Sequence, residues 1–349
     1  MASAFALLAL VVLLALVFDY INGFHDTANA VATVVSTSVL PGRTAVFLAA
    51  VCNFVGAFLG VGVAKTIGGD IAPPATVTQT VVAAALLGAI LWNLLTWYYG
   101  IPSSSSHALI GGIVGAVWCH RVAAGGPAGL AMRELLSSKG VRVTVEALVV
   151  SPLVGLAGGF LLMVVLTWIV HRLSPYTVNR TFRGLQLISA SFMALSHGSN
   201  DAQKSMGVIA MALAAYAAYQ SPGTPQGPLE VPTWVIIACA LAMALGTFSG
   251  GWRIMKTMGQ RIIKLKPING FAAETSAAAV ILTASWLHAP VSTTHVISSC
   301  IMGVGASRRV SAVRWGVARN MLLAWVLTIP VAAGVAAGVY LVLQAVLGL

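Results

Sequence analysis

An all-α, polytopic membrane protein, built from two inverted-topology repeats with Ser/Thr-rich re-entrant hairpins, is the fold class that this 349-residue sequence predicts. Three observations carry that prediction. Hydrophobic residues make up 58% of the chain and charged residues only 8%, whereas a soluble domain carries roughly a quarter charged residues. Apolar runs recur at membrane-crossing length: residues 45–64 are interrupted by a single polar side chain, Asn53, and ~20 such residues span the hydrocarbon as a helix. The sequence also repeats itself in order. FDYINGFHDTANAVATVVST (18–37) aligns with MALSHGSNDAQKSMGVIAMA (193–212), GAFLG (56–60) with GTFSG (246–250), and IPSSSSH (101–107) with APVSTTH (289–295).

The elements follow in order. Segment 4–39 opens with an apolar stretch, 4–18, that no basic residue precedes and no small-residue cleavage site follows, so it reads as a retained helix and not a secretory signal. Two clean spans, 45–64 and 76–99, lead to the Ser/Thr-rich insertion 100–118, and segment 143–170 closes a first transmembrane repeat over 1–170. A basic linker, 171–182, precedes a second repeat over 183–349, with segments 183–219, 232–251, 270–288, 289–306 and 315–347 in the same order.

Charge sets the orientation. The net charge of +11 sits in short connectors, richest at 171–183, 253–266 and 308–319, which places these on the cytoplasmic side. No basic face studded with aromatics is present, which excludes a nucleic-acid partner and leaves the lipid bilayer as the surrounding medium. With two spans between 171–183 and 253–266, the nearly uncharged loop 220–232 falls outside and the halves run in opposite directions. The basic loop 121–142 resists this scheme, since inverted symmetry puts it outside and its charge puts it inside. Cys52, Cys119, Cys239 and Cys300 lie far apart without metal-ligand spacing and read as packing thiols.

The chemistry lies in the polar punctures. Asp19, Asn22, Asp26, Asn29 and Thr33 are spaced 3, 4, 3 and 4 apart and share one helix face. In the second repeat His197, Asp201 and Lys204 take similar spacings. Charges within the bilayer each cost roughly 2.5 to 3.5 kcal/mol on insertion scales, so Asp26, Asp201 and Lys204 imply a use. A structural ion pair between Asp201 and Lys204 leaves Asp26 unexplained; for Asp19, opposite Ala194 in the repeat, a structural role weighs more than for the other acids without displacing a functional one. Gly23 and Gly198 are expected to break their helices and free carbonyl oxygens for a cation. Ser103 to Ser106 after Pro102, and Ser292, Thr293 and Thr294 after Pro290, are helix-start signals. Within a membrane such starts offer free N–H groups, hydroxyls and a positive dipole end to an anion. His107 and His295 close the two clusters and suit either capping or donation to an anion. Glu274, one turn inside a span, is a further candidate for a cation site, with Gln79 near the corresponding place in the first half. A channel would need a continuous polar pore and not punctures confined to mid-membrane; an enzyme would need a nucleophile with its base, which the serine clusters and histidines could mimic, but no metal-ligand motif accompanies them.

At these residues the sequence resembles the PiT family of inorganic phosphate transporters, most closely its bacterial low-affinity members, through NGFHDTANAVAT (22–33), SHGSNDAQKSMGVI (196–209), PSSSSH, PVSTTH and GFAAETSA (270–277). The resemblance covers nearly the whole chain. It implies a plasma-membrane symporter, often homodimeric, that imports inorganic phosphate with a cation and needs no cofactor. Ser104, Ser105, Ser106, Ser292, Thr293 and Thr294, with Asn29, Asn200 and Lys204, are the expected substrate ligands. Asp26, Asp201, Glu274 and His25 are the expected cation-coupling residues. His25, Gln203 and Lys204 depart from many members and resemble bacterial ones that move a metal-phosphate complex with protons. This favours H+ as the coupling ion, with a divalent metal as co-substrate. Na+ coupling, or a sulfate permease of the same fold, stays open, because a tetrahedral dianion meets the same donors.

Overall fold

The computed structural model describes residues 2–72, 76–221 and 229–347. Among them there is no strand, and the helices are α1 (Ala2–Ser36), α2 (Gly42–Gly56), α3 (Gly62–Gly69), α4 (Gln79–Tyr99), α5 (Ser105–Ala123), α6 (Ala128–Ser137), α7 (Lys139–Val170), α8 (Pro175–Gln220), α9 (Thr233–Ser249), α10 (Trp252–Lys256), α11 (Pro267–Trp286), α12 (Thr293–Ala306) and α13 (Trp315–Leu347). Most of the outer loop expected at 220–232, residues 222–228, lies outside the described residues. Helices α1, α4, α7 and α13 are long and apolar enough to cross a membrane, and α9 joined to Trp252–Arg261 across a 59° bend makes a fifth candidate.

Helices α1 and α8 form the centre. Every residue from 25 to 34 and from 196 to 212 is buried, so both helices are surrounded on all sides at mid-length although they carry the polar punctures. They run antiparallel: Phe5 meets Tyr216 at a ring separation of 6.4 Å, and at the other end Thr37 donates to Gln186 at 2.8 Å. Two apolar clusters flank the polar middle. Along α1 the residues up to Ile21 belong to one cluster and those from Ala28 to the other; along α8 the order is reversed, with Ala194 in the second and Ala202 in the first.

The remaining helices pack in matched pairs that cross between the halves. Helix α5 lies on α4 and α13, and α12 lies on α11 and α7; α1 packs on α9, and α8 packs on α2. Each Ser/Thr-headed helix is therefore held by the closing helix of the opposite half.

Three sequence expectations change. Helices α1 and α8 pass through Gly23 and Gly198 without a break. These glycines provide close approach: a Cβ would stand 2.4 Å from the Met243 carbonyl oxygen at Gly23 and 2.2 Å from the Asn53 carbonyl oxygen at Gly198. The span expected at 45–64 is split between α2, which ends at Gly56 against the Leu195 carbonyl, and α3, which starts at Gly62. The side chain of Gln203 then accepts from the Val63 amide at 2.8 Å, satisfying a donor at the new helix start. Finally, α8 begins at Pro175, within the expected linker, where Ser174 caps it by accepting from the Thr177 amide at 3.2 Å.

Candidate functional site

The two Ser/Thr clusters become helix starts in the protein interior. Ser104 caps α5 by accepting from the His107 amide, and Ser292 caps α12 by accepting from the His295 amide, each at 3.2 Å. The starts face one another: Ser106 donates across to the Val291 carbonyl at 2.9 Å, and the His107 and His295 rings lie 4.4 Å apart, with His295 stacked on Trp325. Two positive dipole ends thus converge on one place.

Helices α1 and α8 bring the carboxylates there. Ser105 donates to Asp26 Oδ2 at 3.0 Å, and Thr294 donates to Asp26 Oδ1 at 3.4 Å. Thr293 donates to Asp201 Oδ2 at 3.2 Å. Asn29 Nδ2 donates to both Thr293 and Thr294, at 3.2 and 2.9 Å. Asp201 Oδ1 accepts from Lys204 Nζ at 2.6 Å, and His197 Nε2 stands 3.3 Å from Oδ2. All of these groups are at most 2% exposed, so the cluster is closed to both faces. Ligand atoms of Asp26, His197 and Asp201 fall within 4.8 Å of one another, a grouping suited to a metal ion.

The cluster unites most of the expected residues. Ser105, Ser106, Thr293, Thr294, Asn29, Asp26, Asp201 and Lys204 meet within it, and Ser104 and Ser292 hold its helix starts. His25 is its neighbour, with Nδ1 2.7 Å from Asp26 Oδ1 and Nε2 3.1 Å from Thr96 on α4. Asn200, its counterpart in the repeat, points the same way in the other half and donates to Ser285 on α11 at 2.9 Å. Glu274 stands apart. It accepts from Thr33 at 2.5 Å and from Gln186 at 3.0 Å, and Ser189 donates to its other oxygen. Thr33 lies seven residues beyond Asp26, about 10 Å along the helix. Gln79 instead donates to the Ala212 carbonyl at 2.6 Å.

Sequence reasoning passed over the supports of this cluster. His197 Nδ1 lies 3.2 Å from Asn53 Oδ1, and Asn53 donates to Thr247 at 2.8 Å. The signal was available, since Asn53 is the lone polar residue of its span and Thr247 lies in the repeated GTFSG. No such signal marks Gln186 and Ser189, which become polar partners only through the packing of α8 on α11.

Comparison with known proteins identifies the family and the fold. The model of the phosphate transporter family matches residues 22–336. A chain from Bacillus subtilis described as a probable low-affinity inorganic phosphate transporter is 50% identical over 337 residues, covering 96% of both chains. One of the same description from Rhizobium meliloti is 50% identical over 97% of this chain and 96% of its own. A solved structure described as the sodium-dependent phosphate transporter superposes with a TM-score of 0.81 at 24% identity, covering 97% of this chain and 99% of that one, and shows the same fold. The family is one of transporters and not of enzymes, and on the span of the match and the identity of these relatives, the chain belongs to the phosphate transporter family.

Proposed function

We propose that this protein imports inorganic phosphate across the plasma membrane as a secondary symporter, with H+ as the coupling ion. The observation that carries this reading is the buried meeting of two Ser/Thr-headed helix starts with Asp26 and Asp201. Hydroxyls that now donate to the carboxylates can turn to a tetrahedral oxyanion, which the two helix dipoles attract. A phosphate dianion entering beside two carboxylates meets strong repulsion in a poorly screened interior. The carboxylates must therefore be protonated or cation-bound when phosphate is present, which makes them the coupling elements.

Two features favour phosphate and protons. Phosphate, unlike sulfate, brings a proton that a carboxylate can accept, and Asp26 is within reach of the hydroxyls that would hold it. Lys204 already places a positive charge on Asp201, where a coupling Na+ would otherwise be needed. The grouping of Asp26, His197 and Asp201 also accommodates a divalent metal travelling with phosphate. The antiparallel course of α1 and α8 supports inverted repeats, and the closed cluster supports alternating access by movement of the two hairpins. A homodimer in the membrane completes the proposal.

The test is radiolabelled phosphate uptake into proteoliposomes under an imposed H+ or Na+ gradient, with sulfate as competitor. Uptake driven by H+ and resistant to sulfate is expected. Asp26→Asn and Asp201→Asn should lose gradient-driven accumulation. Concentrative uptake at the wild-type level in both variants would remove the coupling role, and uptake driven only by Na+ would replace the proton.

A further inference from the structure

A second buried acid lies on α1, outside the cluster. Asp19 is 0% exposed, and only the Ser205 hydroxyl and the Cys239 thiol stand close enough to act as donors to its carboxylate. Asn22, one turn on, is also 0% exposed with both amide atoms unpartnered, and the Ser205 hydroxyl on α8 is buried as well. Ser205 and the Cys239 thiol of α9 stand beside the carboxylate, and Asp201 and Lys204 of α8 are the charged groups that act on it. Helix α4 brings no acid, base or histidine, and Glu274 and the start of α12 meet α1 farther along, at Thr33 and Asn29.

An ionised carboxylate with only a hydroxyl and a thiol beside it, no water-facing surface and no paired cation is costly enough that it does not stay ionised. A proton resolves the cost, because the acid can then donate to the Asn22 carbonyl or the Ser205 hydroxyl, two acceptors that are otherwise unused. A metal cation fits less well: the side-chain oxygens are few, and Lys204 places an ammonium nearby.

We propose that Asp19, with Asn22 and Ser205, is a proton-carrying site distinct from the Asp26 and Asp201 cluster, and that Asp201 and Lys204 link its occupancy to phosphate. The proposal rests on the symport reading above. Asp19 takes up a proton as the protein loads and releases it on the opposite side, so that it adds one proton to each transport cycle without touching phosphate.

The experiment compares wild type, Asp19→Asn and Asp19→Glu in proteoliposomes, measuring phosphate counterflow without a gradient, accumulation under a pH gradient, and protons entering per phosphate from an internal pH dye. Asp19→Asn is expected to keep counterflow, admit fewer protons per phosphate, and lower the accumulation ratio about tenfold at a gradient of one pH unit, the driving force of one proton. Unchanged proton counts and accumulation in Asp19→Asn overturn the proposal. So does lost counterflow in a folded Asp19→Asn protein, which would make Asp19 part of the phosphate path, or dependence of its defect on Na+. Should Asp19→Asn not fold, Asp19→Glu carries the test: a shifted pH profile of uptake with intact counterflow supports the site, and an unshifted profile overturns it. Absence of counterflow in the wild type would instead count against phosphate transport itself.

Discussion

Ser105 and Thr293 each donate to a different carboxylate from a different helix start, and a phosphate held between them would draw both hydroxyls toward itself. Removing either hydroxyl leaves one oxygen of a buried anion without its donor, a loss of about 1 to 3 kcal/mol. Ser105→Ala and Thr293→Ala should therefore each weaken phosphate binding measurably by calorimetry in detergent. Because the bound anion connects the two, the double variant should depart from the sum of the singles. Strict additivity, or wild-type affinity in either single variant, would count against a shared ligand. These hydroxyls were legible as a cluster because proline followed by Ser and Thr appears twice in order. Their individual partners were not legible: whether Ser106 turns to a carboxylate or to the Val291 carbonyl depends on the register between α5 and α12, which no local pattern encodes.

Helices α1 and α8 show how the same residues can be read correctly as a pattern and wrongly as local structure. The spacing of Asp19, Asn22, Asp26, Asn29 and Thr33 identified a polar helix face, and α1 carries all five as one uninterrupted helix. The glycines beside them suggested a break, since glycine weakens a helix by about 1 kcal/mol relative to alanine. That cost is outweighed by packing in this fold: at Gly198 an added Cβ would stand 2.2 Å from the Asn53 carbonyl oxygen of α2. Gly198→Ala should accordingly push α2 from α8 and lower the midpoint of thermal unfolding in detergent, with a destabilisation of about 1 to 3 kcal/mol typical of overpacking. Gly184, with nothing near its absent side chain, is the control, and Gly184→Ala should leave the midpoint unchanged or raise it. Equal effects at the two positions would mean that the close approach of α2 and α8 is not what Gly198 is for.

At the scale of the molecule, the repeat was legible because three blocks recur in the same order, and the helical class because charge is so scarce. What the sequence hid was the exchange of partners between halves, in which α5 lies on α13 and α12 on α7; apolar faces do not announce which other apolar face they will meet. The proposed opposite orientation of the halves predicts that Glu230 and Arg261, both exposed, face opposite sides of the membrane. Single cysteines at these positions, in a background without the four native ones, should react with an impermeant maleimide from opposite sides of sealed vesicles, and labelling of both from one side would contradict the inverted arrangement. The exchanged helices also constrain descent. A single-repeat ancestor of this design would have offered its hairpin helix no closing helix of its own chain in the right place, and would have found one only on a second subunit. On that account such a chain would have worked as an obligate pair before any duplication, and its two halves would since have been free to differ, as Lys204 differs from Asn29 at the matching position.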